Sequence, residues 1–327
     1  MDVTLFALGG TISMTGHDGG GVVSRLGGAD LVAAVPGLAG TGVSLDVRDP
    51  RAVPSANLTF GQVLDVLDDA AAAVAGGAHG VVVTQGTDTL EETAFLADLV
   101  WPHAQPLVFT GAMRNPTLPG ADGPANLLAA VRVAADRTAR DLGALVAFKN
   151  EIHAARWVAK SHSSSTATFV SPNLGPVGHV VEGRVRLLVG LPRHAPLPRP
   201  AAEGLAANRV ALHTVSLDDD GTGLAGLADS HQGLVVAGFG VGHVPADLAP
   251  VLGELAGRIP VVLTSRSGAG SVFTDTYGAV GSERDLMRRG LIGGGLLRSY
   301  QARVLLRTLL AGGADADRIR AVFADRS

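Results

Sequence analysis

A chain of 327 residues, 46% hydrophobic and only 17% charged, is long enough for two ordinary domains and too apolar to be disordered. Its formal net charge of −4, with no basic stripe, excludes attraction to a phosphate backbone, so no nucleic-acid partner is expected. The absence of cysteine removes disulfides, thiolate metal sites and cysteine nucleophiles, and no uninterrupted apolar run reaches the length of a bilayer span, so no membrane association is expected.

Met1-Asp2 carries no basic flank, and the apolar run behind it breaks at Gly9-Gly10. That run reads as a first strand, Val3 to Leu8, and not as a signal peptide, which predicts a cytoplasmic protein. Gly9-Gly10-Thr11-Ile12 then presents Thr11 just past the strand end. A threonine hydroxyl is a poor nucleophile until a base takes its proton, and a threonine after two glycines is equally an ordinary turn residue. Ser13 to Gly28 is glycine-rich with no apolar period, so it reads as a long loop without regular structure, either a lid over Thr11 or a surface loop. Ala29 to Leu38 reads as a short helix, Val43 to Val47 as a strand, and Thr59 to Ala75 as a helix with an apolar stripe. Ser55, in the turn Pro54-Ser55-Ala56-Asn57, reads as a cap for that helix.

Val81-Val82-Val83 predicts a strand buried on both faces. Gly86 turns the chain. Thr89 with Glu92 three residues on predicts a capping box, and Leu90, Ala94, Ala97 and Trp101 give the following helix its stripe. Thr87 and Asp88 therefore sit between the carboxyl end of a strand and the amino end of a helix, where open parallel sheets bind ligands. A hydroxyl beside a carboxylate there points to chemistry on a small polar molecule; a plain Thr-Asp-Thr cap is the alternative. Pro106 to Thr110 is the next strand. Asp122 reads as the cap of a helix with Pro124 in its first turn.

Gly143 to Phe148 is another strand, and a more polar stretch through Lys160 follows. His153 and His162 lack the spacing of a zinc helix and no other ligand completes a set, so no metal is expected. Lys160 taken alone is a surface lysine. Val177 to Val189 reads as a hairpin around Glu182-Gly183. Four prolines between Leu191 and Pro200 mark a linker, giving domains at 1–190 and 209–327 joined by 191–208. In the second half, strands at 210–215, 233–237 and 259–264 alternate with helices at 224–230, 245–256 and 299–310. The fold class predicted is α/β, with two domains, each a mostly parallel sheet flanked by helices, the first larger.

Gly238-Phe239-Gly240-Val241-Gly242-His243 resembles a dinucleotide fingerprint, but His243 replaces its third glycine and no acidic residue ends the next strand. Arg266 there could in principle meet a 2′-phosphate. An NADP-dependent oxidoreductase is thus one alternative function, and a non-catalytic amino-acid sensor another.

Read together, the motifs resemble those of the bacterial-type L-asparaginases. Leu8-Gly9-Gly10-Thr11-Ile12 matches one family signature, and Val83 to Ala94, with Thr84-Gln85-Gly86-Thr87-Asp88-Thr89 inside it, matches the second. Thr110-Gly111-Ala112-Met113-Arg114, Ala121 to Leu127, Lys160-Ser161-His162 and Gln301 to Leu306 extend the likeness over the whole chain. The resemblance implies hydrolysis of the side-chain amide of asparagine, and often of glutamine, with no metal or organic cofactor. It implies Thr11 as nucleophile forming an acyl-enzyme, and Thr87, Lys160 and Asp88 as a second hydroxyl–amine–carboxylate set. Backbone N–H groups near Thr87 would stabilise the oxyanion. Ser55 would take the substrate α-carboxylate and Asp88 its ammonium, with Gly86, Thr87 and Ala112 also lining the substrate. Glu283 would reach the substrate amine from a neighbouring subunit, with Tyr277 close by in sequence, in a homotetramer built as a dimer of dimers. Three positions depart from the family pattern: the lid tyrosine has Gly21 or Val22 in its place, a glutamine after Ser55 is Ala56, and an asparagine of the second domain is His243.

Overall fold

The computed structural model of the chain describes residues 1–17, 21–24 and 26–326, which fall into two compact units, Met1–Pro196 and Leu197–Ser327. The larger unit contains strands β1 (Asp2–Ala7), β2 (Met14–His17), β3 (Gly21–Ser24), β4 (Ser44–Arg48), β5 (Gly80–Thr84), β6 (Leu107–Thr110), β7 (Ala144–Phe148), β8 (Glu151–Ala154), β9 (Ala159–Lys160), β10 (Phe169–Val170), β11 (Gly178–Val181) and β12 (Arg184–Leu187). Its helices are α1 (Gly28–Ala33), α2 (Phe60–Ala75), α3 (Leu90–Val100) and α4 (Gly123–Ala135).

Eight strands form one sheet in the order β12-β11-β8-β7-β6-β5-β1-β4. From β4 to β7 every pairing is parallel, and from β7 to β12 every pairing is antiparallel. The parallel half explains the valine run: Val81, Val82 and Val83 are all fully buried because helices cover both faces. Each such side chain contributes about 1.5–3 kcal/mol relative to exposure. On one face Leu127, Ala130, Val131 and Ala134 of α4 pack with Val3, Leu5, Val82 and Val108.

Four details differ from the sequence reading. Ser13 to Gly28 is not without structure: β2 and β3 pair antiparallel, Met14 opposite Ser24 and His17 opposite Gly21. Asp18, Gly19, Gly20 and Arg25 of that stretch lie outside the described residues. Helix α2 is capped by Thr59, whose hydroxyl accepts from Gln62 N–H at 3.3 Å while Gln62 Oε1 accepts from Thr59 N–H at 3.0 Å, so Ser55 is free of that task. Thr89 makes no side-chain cap on α3, and Asp122 none on α4, because both side chains are committed to neighbouring loops.

The smaller unit has β13 (Val210–Thr214), β14 (Gly233–Gly238), β15 (Val261–Ser265) and β16 (Ile292–Gly293), all parallel in that order. Its helices are α5 (Ala202–Ala207), α6 (Leu227–Ser230), α7 (Leu248–Ala256), α8 (Glu283–Arg288), α9 (Ser299–Ala311) and α10 (Ala316–Arg326). Helix α5 stands inside the span read as a linker. The glycine-rich segment after β14 closes on itself: Phe239 N–H donates to His243 O at 2.8 Å and His243 N–H to Phe239 O at 2.9 Å. Helix α7 begins only at Leu248, so no helix terminus faces a pyrophosphate there. Arg266 is engaged as well, donating to Val215 O at 2.8 Å and stacking 4.3 Å from the Phe239 ring centroid. The glycines serve a tight turn, and the dinucleotide reading has no support from this geometry. Among the described residues no helix is long and apolar enough to cross a membrane.

Candidate active site

Three neighbouring strands, β1, β5 and β6, end level with one another. Ala7 pairs with Thr84, Leu8 N–H donates to Thr84 O at 2.8 Å, and Gln85 N–H donates to Thr110 O at 3.1 Å. The chain leaves all three at one edge of the sheet. The exits of β1 and β5 then touch: a Cβ placed on Gly10 would lie 2.2 Å from Gly86 N and 2.4 Å from its Cα. No side chain fits between them, and Gly10 has φ +91°, a conformation that favours glycine. Thr11 and Thr87, the next residues on each loop, thus leave from backbones in contact. Thr11 opens a one-turn 3-10 segment, Thr11–Ser13, fixed by Ser13 N–H and Oγ both donating to Gly10 O. Thr11 is half-buried and Thr87 is buried.

Lys160 reaches this edge from β9. Its ammonium donates to Thr87 Oγ1 at 3.0 Å and to Asp88 Oδ1 at 2.9 Å. The lysine side chain is 16% exposed and that of Asp88 69%, so the amine is enclosed while the carboxylate faces solvent. The hydroxyl–amine–carboxylate set implied by the motifs is therefore one connected group.

Ser55 is buried on the other side of the same turn. Its Oγ accepts from Asp88 N–H at 3.2 Å and its carbonyl accepts from Thr89 Oγ1 at 2.9 Å. That second bond is why the Thr89 hydroxyl makes no cap on α3 although Thr89 stands at its N-cap. Gly86 is needed here too, since a Cβ on it would meet Ser55 Oγ at 2.6 Å. Ala112 is fully buried at the exit of β6, packed beside Gly123 at the start of α4.

Sequence reasoning missed the residues that hold these loops. Asp122 accepts from Met113 N–H and Arg114 N–H at 3.1 and 2.8 Å, so it fastens the β6 exit rather than capping α4. Asn126 donates to Gly111 O at 3.0 Å and accepts from Lys149 N–H at 2.9 Å, tying that exit to the β7–β8 turn. The signal was an Asp and an Asn four apart at a helix start, which places both on one face. Buried Gln85 donates to Gly86 O and to Thr93 Oγ1, both at 3.3 Å, joining the turn to α3.

In the smaller unit, His243 and Glu283 come together. Glu283 opens α8 with its side chain fully buried; Oε1 accepts from Thr276 N–H at 2.9 Å and Tyr277 N–H at 2.6 Å, and Oε2 lies 3.1 Å from His243 Nε2. Burial alone would raise its pKa, but the Tyr277 N–H, its own helix-terminal N–H, His243 and the Thr276 N–H outweigh that and hold it below the ordinary value. The Tyr277 ring stands edge-on to His243, with centroids 4.9 Å apart. Of the histidines weighed as ligands, His153 is buried with Nδ1 2.9 Å from Ser171 Oγ, and His162 Nδ1 accepts from Ser164 and Ser165 N–H. Among the described residues no three His, Cys, Asp or Glu side chains gather as a metal site would need.

Comparison with known proteins shows what the chain as a whole is similar to. The family model of the asparaginase N-terminal domain matches residues 2–192, and that of the glutaminase/asparaginase C-terminal domain matches residues 209–323. A probable L-asparaginase of Deinococcus radiodurans is 36% identical, over 98% of this chain and 96% of its own. L-asparaginase 2 of Escherichia coli is 30% identical, over 98% and 92%. The crystal structure of a probable cytoplasmic L-asparaginase from Campylobacter jejuni superposes with a TM-score of 0.86 at 30% identity, covering 99% of both chains.

Proposed function

The chain belongs to the bacterial-type asparaginase family of amidohydrolases, and from that premise we propose that it converts L-asparagine to L-aspartate and ammonia through an acyl-enzyme on Thr11. The observation that carries this reading is the connected set Thr87–Lys160–Asp88 beside the loop that bears Thr11. The Thr11 hydroxyl adds to the side-chain amide carbon, the nitrogen leaves as ammonia with the proton released from Thr11, and an ester to Thr11 remains. Water then adds to that ester and releases aspartate. Lys160 shuttles protons through Thr87, and backbone N–H groups of the turn face the developing oxyanion. Exposed Asp88 takes the substrate ammonium and Ser55 the α-carboxylate, with Gly86 and Ala112 leaving the room that both need.

Glu283, with His243 against it, reaches the substrate amine of a neighbouring copy in a homodimer, two of which form a tetramer. Ala56 and His243 set the balance between asparagine and glutamine. A cytoplasmic location is part of this proposal, supported by the name of the Campylobacter jejuni relative, although a Haemophilus influenzae relative is named periplasmic. Cell fractionation tests that placement.

The deciding experiment is Thr11→Ala. Ammonia release from asparagine should fall by at least about a thousandfold while circular dichroism and asparagine binding stay unchanged. Retained turnover overturns the nucleophile assignment. Saturable binding with no turnover in the unmodified protein favours the sensor instead.

A further inference from the structure

The opposite edge of the larger sheet carries a second concave site. Met1 precedes β1, Val43 precedes β4, Ala135 ends α4 and Asp136 follows it; all four line a cleft of about 770 Å³. It is separated from Thr11 and Thr87 by the length of the strands, roughly 15–20 Å.

Arg132 of α4 and Arg184 and Arg186 of β12 also line this cleft. A Cβ built on Gly183 would lie 3.0 Å from Arg132 Cζ and 3.1 and 3.2 Å from its two Nη atoms. Nearly equal distances to three atoms of one plane mean that the guanidinium lies flat on the turn. Its N–H donors then point sideways along that plane. Glu182 and Gly183, with φ of 49° and 74°, close the β11–β12 hairpin, so a glycine at 183 answers both the turn and the arginine stacked on it.

Among the described residues, none of these three guanidinium groups makes an ion pair or a side-chain hydrogen bond. Of the two carboxylates in the cleft wall, Asp136 is already occupied by Thr138 N–H and Oγ1 at 2.8 and 2.6 Å. An adjoining cleft of about 280 Å³ shares Asp136 and adds Arg137 and Arg140. Five arginines therefore face two carboxylates on a chain whose net charge is −4. A concave surplus of fixed cations concentrates anions, and the guanidinium fork matches the paired oxygens of carboxylate and phosphate.

We propose that this cleft binds a small-molecule polyanion carrying at least two carboxylate or phosphate groups, with Arg132 as the preorganised anchor and Arg184 and Arg186 closing on the ligand. The volume is that of a metabolite-sized site and exceeds what a single phosphate ion fills. The proposal is independent of the reading of Thr11 and Thr87.

Isothermal titration of the full chain with pyrophosphate, with ATP and with citrate tests it. At least one probe should bind saturably, once per chain, and more weakly as salt is raised. Arg132→Gln and the double variant Arg184→Gln/Arg186→Gln should each weaken that binding at least tenfold, while Arg318→Gln on α10 leaves it unchanged. Ammonia release without added anion should be the same in all four proteins. The citrate and phosphate arms tell the two chemistries apart. Both arginines of the double variant are exposed on an edge strand, so that protein stays folded even where Arg132→Gln does not. Absence of saturable binding for all three probes, or affinity within threefold of the parent in the double variant, overturns the proposal.

Discussion

Asp88 and Glu283 are both carboxylates at the start of a helix, yet they are held in opposite ways. Asp88 is 69% exposed and has one side-chain partner, the ammonium of Lys160. Glu283 is fully buried and its oxygens meet two backbone N–H groups and His243. An exposed ion pair contributes about 0–1 kcal/mol to stability, so little is lost when Asp88 turns to a ligand. Removing a buried acceptor leaves its donors unsatisfied, at about 1–3 kcal/mol each. The contrast teaches that the first carboxylate can exchange its partner at little cost, while the second is an anchor whose stability role any catalytic role must share.

The sharpest way to break the comparison is Lys160→Met. Turnover of asparagine should fall at least about a hundredfold, a barrier rise of ~3 kcal/mol, while the thermal midpoint moves little. A loss under tenfold would leave the lysine as a positioning group only. Glu283→Ala should show the reverse emphasis, with stability to urea falling by about 2–4 kcal/mol because several donors lose their acceptor together. The shared-site reading adds a finer test: inactive Thr11→Ala and Glu283→Gln chains, unfolded and refolded together, should regain ammonia release that neither shows alone. No recovery in mixed, correctly assembled protein would remove Glu283 from the site.

Acid unfolding sharpens the same contrast with a smaller effect. Glu283 titrates below 4.5 in the folded chain, and Asp285 and Asp219 below 3.8, where desolvation is outweighed by their hydrogen bonds and cationic neighbours. The unfolded chain takes up those protons first, so the stabilisation is complete above the ordinary values and is lost as pH falls through the folded ones. Buried His153 adds an earlier step. Desolvation holds its pKa below 6.5 against the opposing pull of Glu151, so stability should begin to decline as pH drops under 6.5. Thermal midpoints from pH 8 to 3 should show both stages, and Glu283→Gln should flatten the lower one. Smallest of all, Thr89→Val removes one hydroxyl bond to Ser55 and should cost about 1 kcal/mol.

Much of this was legible in the sequence because burial on both faces demands a run such as Val81-Val82-Val83, and helix α2 carries its stripe openly. The Thr87–Asp88 turn was legible for the same reason: a strand, a glycine and an apolar-periodic helix leave only one place for those residues. What stayed hidden depends on groups far apart along the chain. Thr89 looks like a cap until the carbonyl of Ser55, 34 residues earlier, claims its hydroxyl. The β2–β3 pair has no alternation to read, since glycine supplies much of that stretch. Helix α10 escaped notice because it is mostly polar, although Ile319, Val322 and Phe323 mark its inner face.

The seam where Gly10 meets Gly86 has a practical consequence for anyone reshaping this protein. The gap between the two threonine-bearing loops is a ruler made of bare backbone, with no side chain that could be trimmed to shorten it or grown to lengthen it without prying the sheet edge apart. Volume can be exchanged freely at the exposed Ala56, while the contact of the two backbones travels unchanged through every such redesign.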